Sequence, residues 1–134
     1  MRIAQNISDL VKIRFCIISV KRGDKMENEQ MAFQLILHAG NAKSSAMEAI
    51  IASNNYDFET ANECIEKANE ELTIAHKAQY DLLSDFSNGE KVDVNILMVH
   101  AQDHVSGASL IIEMAKEIIT LNNKIYLIEQ KGER

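Results

Sequence analysis

Val99-His100-Ala101-Gln102-Asp103-His104 carries the densest chemistry in this chain. His100, Asp103 and His104 stand at i, i+3 and i+4, so one helical face holds two imidazoles and a carboxylate. Such groups are costly on an apolar face unless they are paired or bound to a metal. The surrounding Ile96, Leu97, Leu110, Ile111 and Met114 predict a face that is at least partly buried. Three readings fit the spacing. His100 and His104 can bind zinc with Asp103 helping. One histidine can be a nucleophile that carries a phosphoryl group, because imidazole, with an ordinary pKa of about 6.5, is neutral and nucleophilic near pH 7. Or the trio is a polar break in a bundle core, its ring nitrogens bonded to nearby carbonyls. Spacing alone favours the last.

Other chemistries lack their residues. There is no glycine-rich phosphate loop, no E-x-x-H pattern for a di-iron bundle and no H-E-x-x-H. Cys16 and Cys64 form neither a C-x-x-C pair nor a disulfide framework, which fits a reducing cytoplasm.

The elements that position the cluster read as helices. The chain has 134 residues, no proline and five glycines, too few breakers for a sandwich or barrel. Met31, Leu35, Ala39, Ala42, Ala46, Ala49 and Ile50 fall at helical spacing. Gly40 interrupts that helix and predicts close approach of a neighbour, and His38 reads as a partly exposed core-edge histidine. Asn54-Asn55-Tyr56 reads as a turn, with Asp57 capping the next helix and Glu59 in its first turn. Phe58, Ala61, Ile65, Ala68, Leu72, Ala75, Gln79, Leu82 and Phe86 then alternate three and four apart. Gln79, the polar member of this seam, is either a register device or a contact to the histidine site, and His76 belongs at a helix boundary. Ser87-Asn88-Gly89 ends the second helix and Asp93 can cap a third. The third is apolar over most of its circumference to about Ile128, more than two neighbours can cover, so self-association is expected.

Residues 1–25 differ. They hold six basic and two acidic side chains, against eight basic and eighteen acidic in the remainder. Val11 to Phe15 alternates like a strand, and the apolar run around it is too short and too interrupted for a signal peptide or a membrane span. A loose extension, or a natural start at Met26, is the expectation, giving an extension over 1–26 and a domain over 27–130. The acidic body disfavours nucleic acid and anionic membrane as partners.

The hexapeptide around His100 resembles the phosphorylation motif of the lactose/cellobiose-type enzyme IIA of the bacterial phosphotransferase system. The resemblance extends to His38-Ala39-Gly40-Asn41-Ala42-Lys43-Ser44, similar to the family's "AGNARS" stretch. It continues in Tyr56-Asp57-Phe58-Glu59-Thr60-Ala61, similar to "GDFEKA", and in Ala75-His76-Lys77-Ala78-Gln79, similar to "AHxxQ". It runs from about Met31 to Leu127. The chain departs from the pattern at Val105-Ser106-Gly107, where the family usually reads Leu-Met-Thr, and at Tyr80, where it usually has threonine.

The resemblance implies an all-α fold, an antiparallel three-helix bundle (about 28–53, 57–87 and 93–128) assembled as a homotrimer. It implies a phosphocarrier that takes a phosphoryl group from phospho-HPr on His100, through Nε2, and passes it to a cysteine of the cognate IIB component. Gln102, His104 and Gln79 would support it. Asp103 would hold one structural Mg2+ per trimer, shared among three subunits. The protein would be cytoplasmic, meeting the membrane only through the sugar permease, and would bind no nucleic acid. "VHAQDH" is closer to cellobiose- and diacetylchitobiose-type members than to lactose-type ones. The alternative is a non-catalytic helical oligomerisation module with a structural zinc at His100 and His104.

Overall fold

In the computed structural model, which describes the backbone of residues 2–92 and 94–132 and side chains within that range from Glu27 onward, three helices follow one another. They are α1 (Arg2–Asn54), α2 (Phe58–Ser87) and α3 (Ile96–Gly132). The chain runs up, down and up, so α1 and α3 are parallel and α2 is antiparallel to both. The long α1 packs against both partners, and α2 and α3 touch less.

Alanine explains how the helices come together. Ala39, Ala42, Ala46 and Ala49 of α1, Ala61, Ala68 and Ala75 of α2, and Ala101, Ala108 and Ala115 of α3 are all fully buried. Small side chains let helix axes approach closely and lose almost no rotamer entropy on burial. Leu35, Val105 and Ile112 supply the bulk between them. The expected α1 stripe and the α2 seam face this core, with Cys64 added and Phe86 left exposed at the seam's end.

The ends of α2 follow local chemistry. The Thr60 amide donates to Asp57 Oδ1 at 3.1 Å, which makes Asp57 the N-cap, and Glu59 lies in the first turn. Tyr56 takes a left-handed φ of 62°, a cost repaid by its neighbours. Its hydroxyl donates to Glu129 at 2.8 Å, and its ring lies 5.1 Å from that of Tyr126. Below it, buried Ser53 accepts from Asn122 Nδ2 at 2.9 Å, joining the C-terminal halves of α1 and α3. Gly89, with φ 83°, turns the chain out of α2.

Several expectations are corrected. The stretch 11–15 is helical, not a strand: α1 runs unbroken from Arg2, and a lone strand among helices would leave its backbone groups unpaired. Helix α3 starts three residues later than expected, because Asn95 Oδ1 accepts from the Met98 amide at 2.9 Å and caps it; Asp93 lies outside the described residues. It also runs past Ile128 to Gly132, with Lys131 favourably placed in the last turn. Gly40 meets no neighbour within 4 Å of where its Cβ would be. Within one chain α3 is not buried on several sides, because Leu110, Met114, Leu121, Ile125 and Ile128 form an exposed stripe opposite the core.

Candidate functional site

The first turns of α3 bring His100 and His104 together on the side facing α1. Their Nε2 atoms lie 3.1 Å apart, and their rings meet edge to face with centroids at 4.5 Å. The contact is local in origin, since an i, i+4 pair on a helix places the two rings one above the other. The packing behind it is tertiary: Ala101 and Val105 are buried in the core, which fixes the rotation of α3 and leaves His100 exposed and His104 half-buried.

His104 has a distinct environment. Its Nδ1 is buried and has no hydrogen-bond partner. Burial, then the neighbouring charges of His100 and Lys43, hold its pKa below that of an ordinary imidazole, while Asp103 pulls the other way. A neutral His104 carries one N–H. Facing His100, one Nε2 of the pair must donate and the other accept.

Asp103 is exposed, not buried within the chain, and stands at the head of the α3 stripe that continues through Leu110, Met114 and Leu121. Among the described residues no cation lies within ion-pair distance of it.

Gln79 and Gln102 form a second, separate pair. Gln79 Nε2 donates to Gln102 Oε1 at 2.5 Å, and Gln102 Nε2 approaches Met98 Sδ at 3.8 Å. The pair bridges α2 and α3 on the opposite side of α3 from the imidazoles. The polar member of the α2 seam therefore reaches Gln102, which lies between the two histidines in sequence but half a turn of α3 away from them. His76 does sit at a helix boundary, with Nε2 3.4 Å from Ser109 Oγ of α3. His38 is the partly exposed core-edge histidine expected, and its Nδ1 meets Glu71 Oε2 at 2.6 Å across α1 and α2.

Lys43 of α1 reaches the same side of α3 as the imidazoles. Its Nζ lies over Gly107 on α3, one turn past His104. The signal for it is its isolation, as the sole lysine or arginine between Met26 and Lys67 in an alanine-rich helix.

As a metal centre for zinc, the imidazole pair supplies two ligands. Among the described residues no group of three or more histidine, cysteine or acidic side chains converges, so one chain does not complete a tetrahedral structural site.

A profile for the lactose/cellobiose-specific IIA subunit of the phosphotransferase system matches residues 30–123, from the second turn past Met26 to the last third of α3. This chain belongs to that family. It is 49% identical over 106 residues to a lichenan-specific phosphotransferase enzyme IIA component of Bacillus subtilis, covering 79% of this chain and 94% of that protein. It is 36% identical over 98 residues to the lactose-specific EIIA component of Staphylococcus epidermidis, covering 73% and 94%. The fold is similar to the crystal structure of a cellobiose-specific enzyme IIA from Bacillus anthracis, with a TM-score of 0.74 and 40% identity over 75% of this chain and 92% of that one.

Membership in the IIA family makes the chain a sugar phosphotransferase system component built as three helices. Among the described residues no helix is long and apolar enough to cross a membrane.

Proposed function

We propose that this IIA component carries a phosphoryl group on His100 Nε2 between phospho-HPr and the cysteine of its IIB partner. The observation that supports this most directly is the exposed His100 Nε2 facing His104 Nε2 at 3.1 Å, inside the motif that carries the family resemblance.

The chemistry requires a lone pair on His100 Nε2. That places the proton of His100 on Nδ1 and makes His104 Nε2–H the donor between the rings. The lowered pKa of His104 keeps it in this single-proton form. In the transfer, His100 Nε2 forms a bond to phosphorus as the nitrogen–phosphorus bond of the donor histidine breaks, and the donor imidazole leaves with that electron pair. His104 Nε2–H then donates to a phosphoryl oxygen. The return step is the same displacement, with a thiolate of IIB as nucleophile. Such in-line transfers need positioning and charge stabilisation more than covalent machinery. Gln102, held by Gln79, keeps the N-terminal turns of α3 in register with α2.

Both partners must reach His100 from solvent. An apolar groove of about 330 Å³ between α2 and α3, lined by Leu82, Leu83, Phe86, Val94, Met98 and Val99, lies on the α2 side of α3, with Val99 next to His100 in sequence, and suits a protein partner.

We further propose a homotrimer built on the α3 stripe. Leu110 and Leu121 are 62% and 56% exposed, an apolar surface that a lone chain would leave in water. Three Asp103 carboxylates brought together on the axis would repel one another. The carboxylates fit a hard, oxygen-seeking divalent ion, and one Mg2+ held by Asp103 of each chain would supply the neutralising charge. The domain proposed to carry out this transfer is residues 27–130, acting in the cytoplasm beside the permease. The substrate class is a β-linked disaccharide of cellobiose or diacetylchitobiose type rather than lactose, a preference supported by "VHAQDH" and by the 40% identity to the cellobiose-specific enzyme IIA of known structure.

The test is incubation with phosphoenolpyruvate, enzyme I and HPr. One acid-labile phosphoryl group per chain is expected. No incorporation would favour the oligomerisation module instead.

A further inference from the structure

We propose that Lys43 of α1 is the cation that receives the charge of the phosphoryl group on His100, and that Gly107 is glycine in order to seat it. This rests on the reading of His100 as the phosphoryl carrier.

The geometry begins at Gly107. A Cβ there would lie 3.1 Å from Lys43 Nζ and 3.3 Å from Lys43 Cε, closer than ordinary van der Waals contact. A side chain at position 107 would push the ammonium outward by a few tenths of an ångström, and glycine lets it lie against the helix. Glycine is a poor residue for the middle of a helix, and a Cβ at Gly107 of α3 would meet a neighbour where one at Gly40 of α1 would meet none.

The contact is on the right face. His100, His104 and Gly107 stand at i, i+4 and i+7, so Lys43 enters the same α1–α3 boundary as the paired rings. Its charge is felt at the His104 ring. Among the described residues no carboxylate lies within ion-pair distance of Lys43, so this half-exposed lysine makes no ion pair in the unphosphorylated protein. A phosphoryl group brings about two negative charges. A lysine ammonium on a flexible four-carbon stem meets it as a point charge, by rotation of its side chain towards the start of α3. The ammonium then stabilises the charge on the transferring group, an interaction made with the phosphoryl group and absent from the resting site.

The experiment uses the full chain, charged by phosphoenolpyruvate, enzyme I and HPr, in wild type and in Lys43→Met, Lys43→Arg, Gly107→Ala and the Lys43→Met/Gly107→Ala double variant. Lys43→Met should keep wild-type helicity and melting midpoint and lose about 10-fold or more in kcat for phosphoryl acceptance, with KM for phospho-HPr little changed. Lys43→Arg should recover most of the rate. Gly107→Ala should slow transfer by itself and add nothing in the double variant, because its effect runs through Lys43. A Lys43→Met protein that accepts phosphate at the wild-type rate would overturn the proposal while leaving His100 as carrier. So would one whose loss of transfer tracks a loss of helicity. A wild-type protein that takes up no phosphoryl group would overturn the reading of His100 as well.

Discussion

His100 Nε2 and His104 Nε2 face each other at 3.1 Å with the outer ring exposed and the inner ring's Nδ1 buried and unpartnered. The two histidines are therefore not equivalent: the outer one is open to attack, and the inner one can only assist.

His100→Gln should abolish phosphoryl acceptance without loss of helicity, since no other group in the site offers a nucleophilic nitrogen to solvent. His104→Gln removes one hydrogen bond to a charged group, worth about 1.5–3 kcal/mol, so acceptance should slow about 10-fold to about 100-fold but persist. Radiolabel transfer measures both. The reverse pattern, a dead His104 variant beside an active His100 variant, would exchange the two roles.

Asp103 and the trimer are tested together by sedimentation with and without a chelator. The wild type should dissociate, at least in part, when the divalent ion is removed. Asp103→Leu should stay trimeric in either condition, because apolar replacement of a buried charge cluster is often neutral or stabilising. A wild-type trimer indifferent to chelator, or a monomeric Asp103→Leu protein, would sink the shared ion.

Leu35 and Leu110 are the same residue type with opposite burial, one wholly enclosed and the other exposed on the α3 stripe. Leu35→Ala should destabilise the fold by about 2–5 kcal/mol through the cavity it leaves. Leu110→Ala should instead shift the oligomeric equilibrium with concentration. Thermal melts at two protein concentrations separate the effects; a concentration-independent loss for Leu110→Ala would place that side chain in the core of the folding unit.

The Asp57 cap has a pH signature. The Thr60 hydrogen bonds, side chain first and then backbone amide, hold its carboxyl below the ordinary aspartate value of 3.8. A depressed folded pKa contributes stability that is present above 3.8 and lost as pH falls through the lower folded value. Melting midpoints taken from neutral pH into that acid range should fall more steeply for wild type than for Asp57→Asn, whose cap does not titrate. Parallel curves would show that the cap carries no charge-dependent stability.

Much of this was readable from residues alone. The three helices follow from three-and-four spacing and the lack of proline, and the Asp57 cap from its place before Phe58. The imidazole pair follows from its i, i+4 placement, because helical neighbours on one face are fixed by local geometry. What the order of residues could not supply depends on how α1, α2 and α3 are rotated against one another. Alanine on all three contact faces lets the axes close in, and that spends few of the large apolar residues of α3, so its stripe stays outside the bundle with Asp103 at its head. The same rotation sends Gln79 to Gln102 rather than to an imidazole, pairs His38 with Glu71, and lays Lys43 against the helix at Gly107. Each of these contacts joins residues more than twenty positions apart, and a one-residue turn of any helix would change its partner.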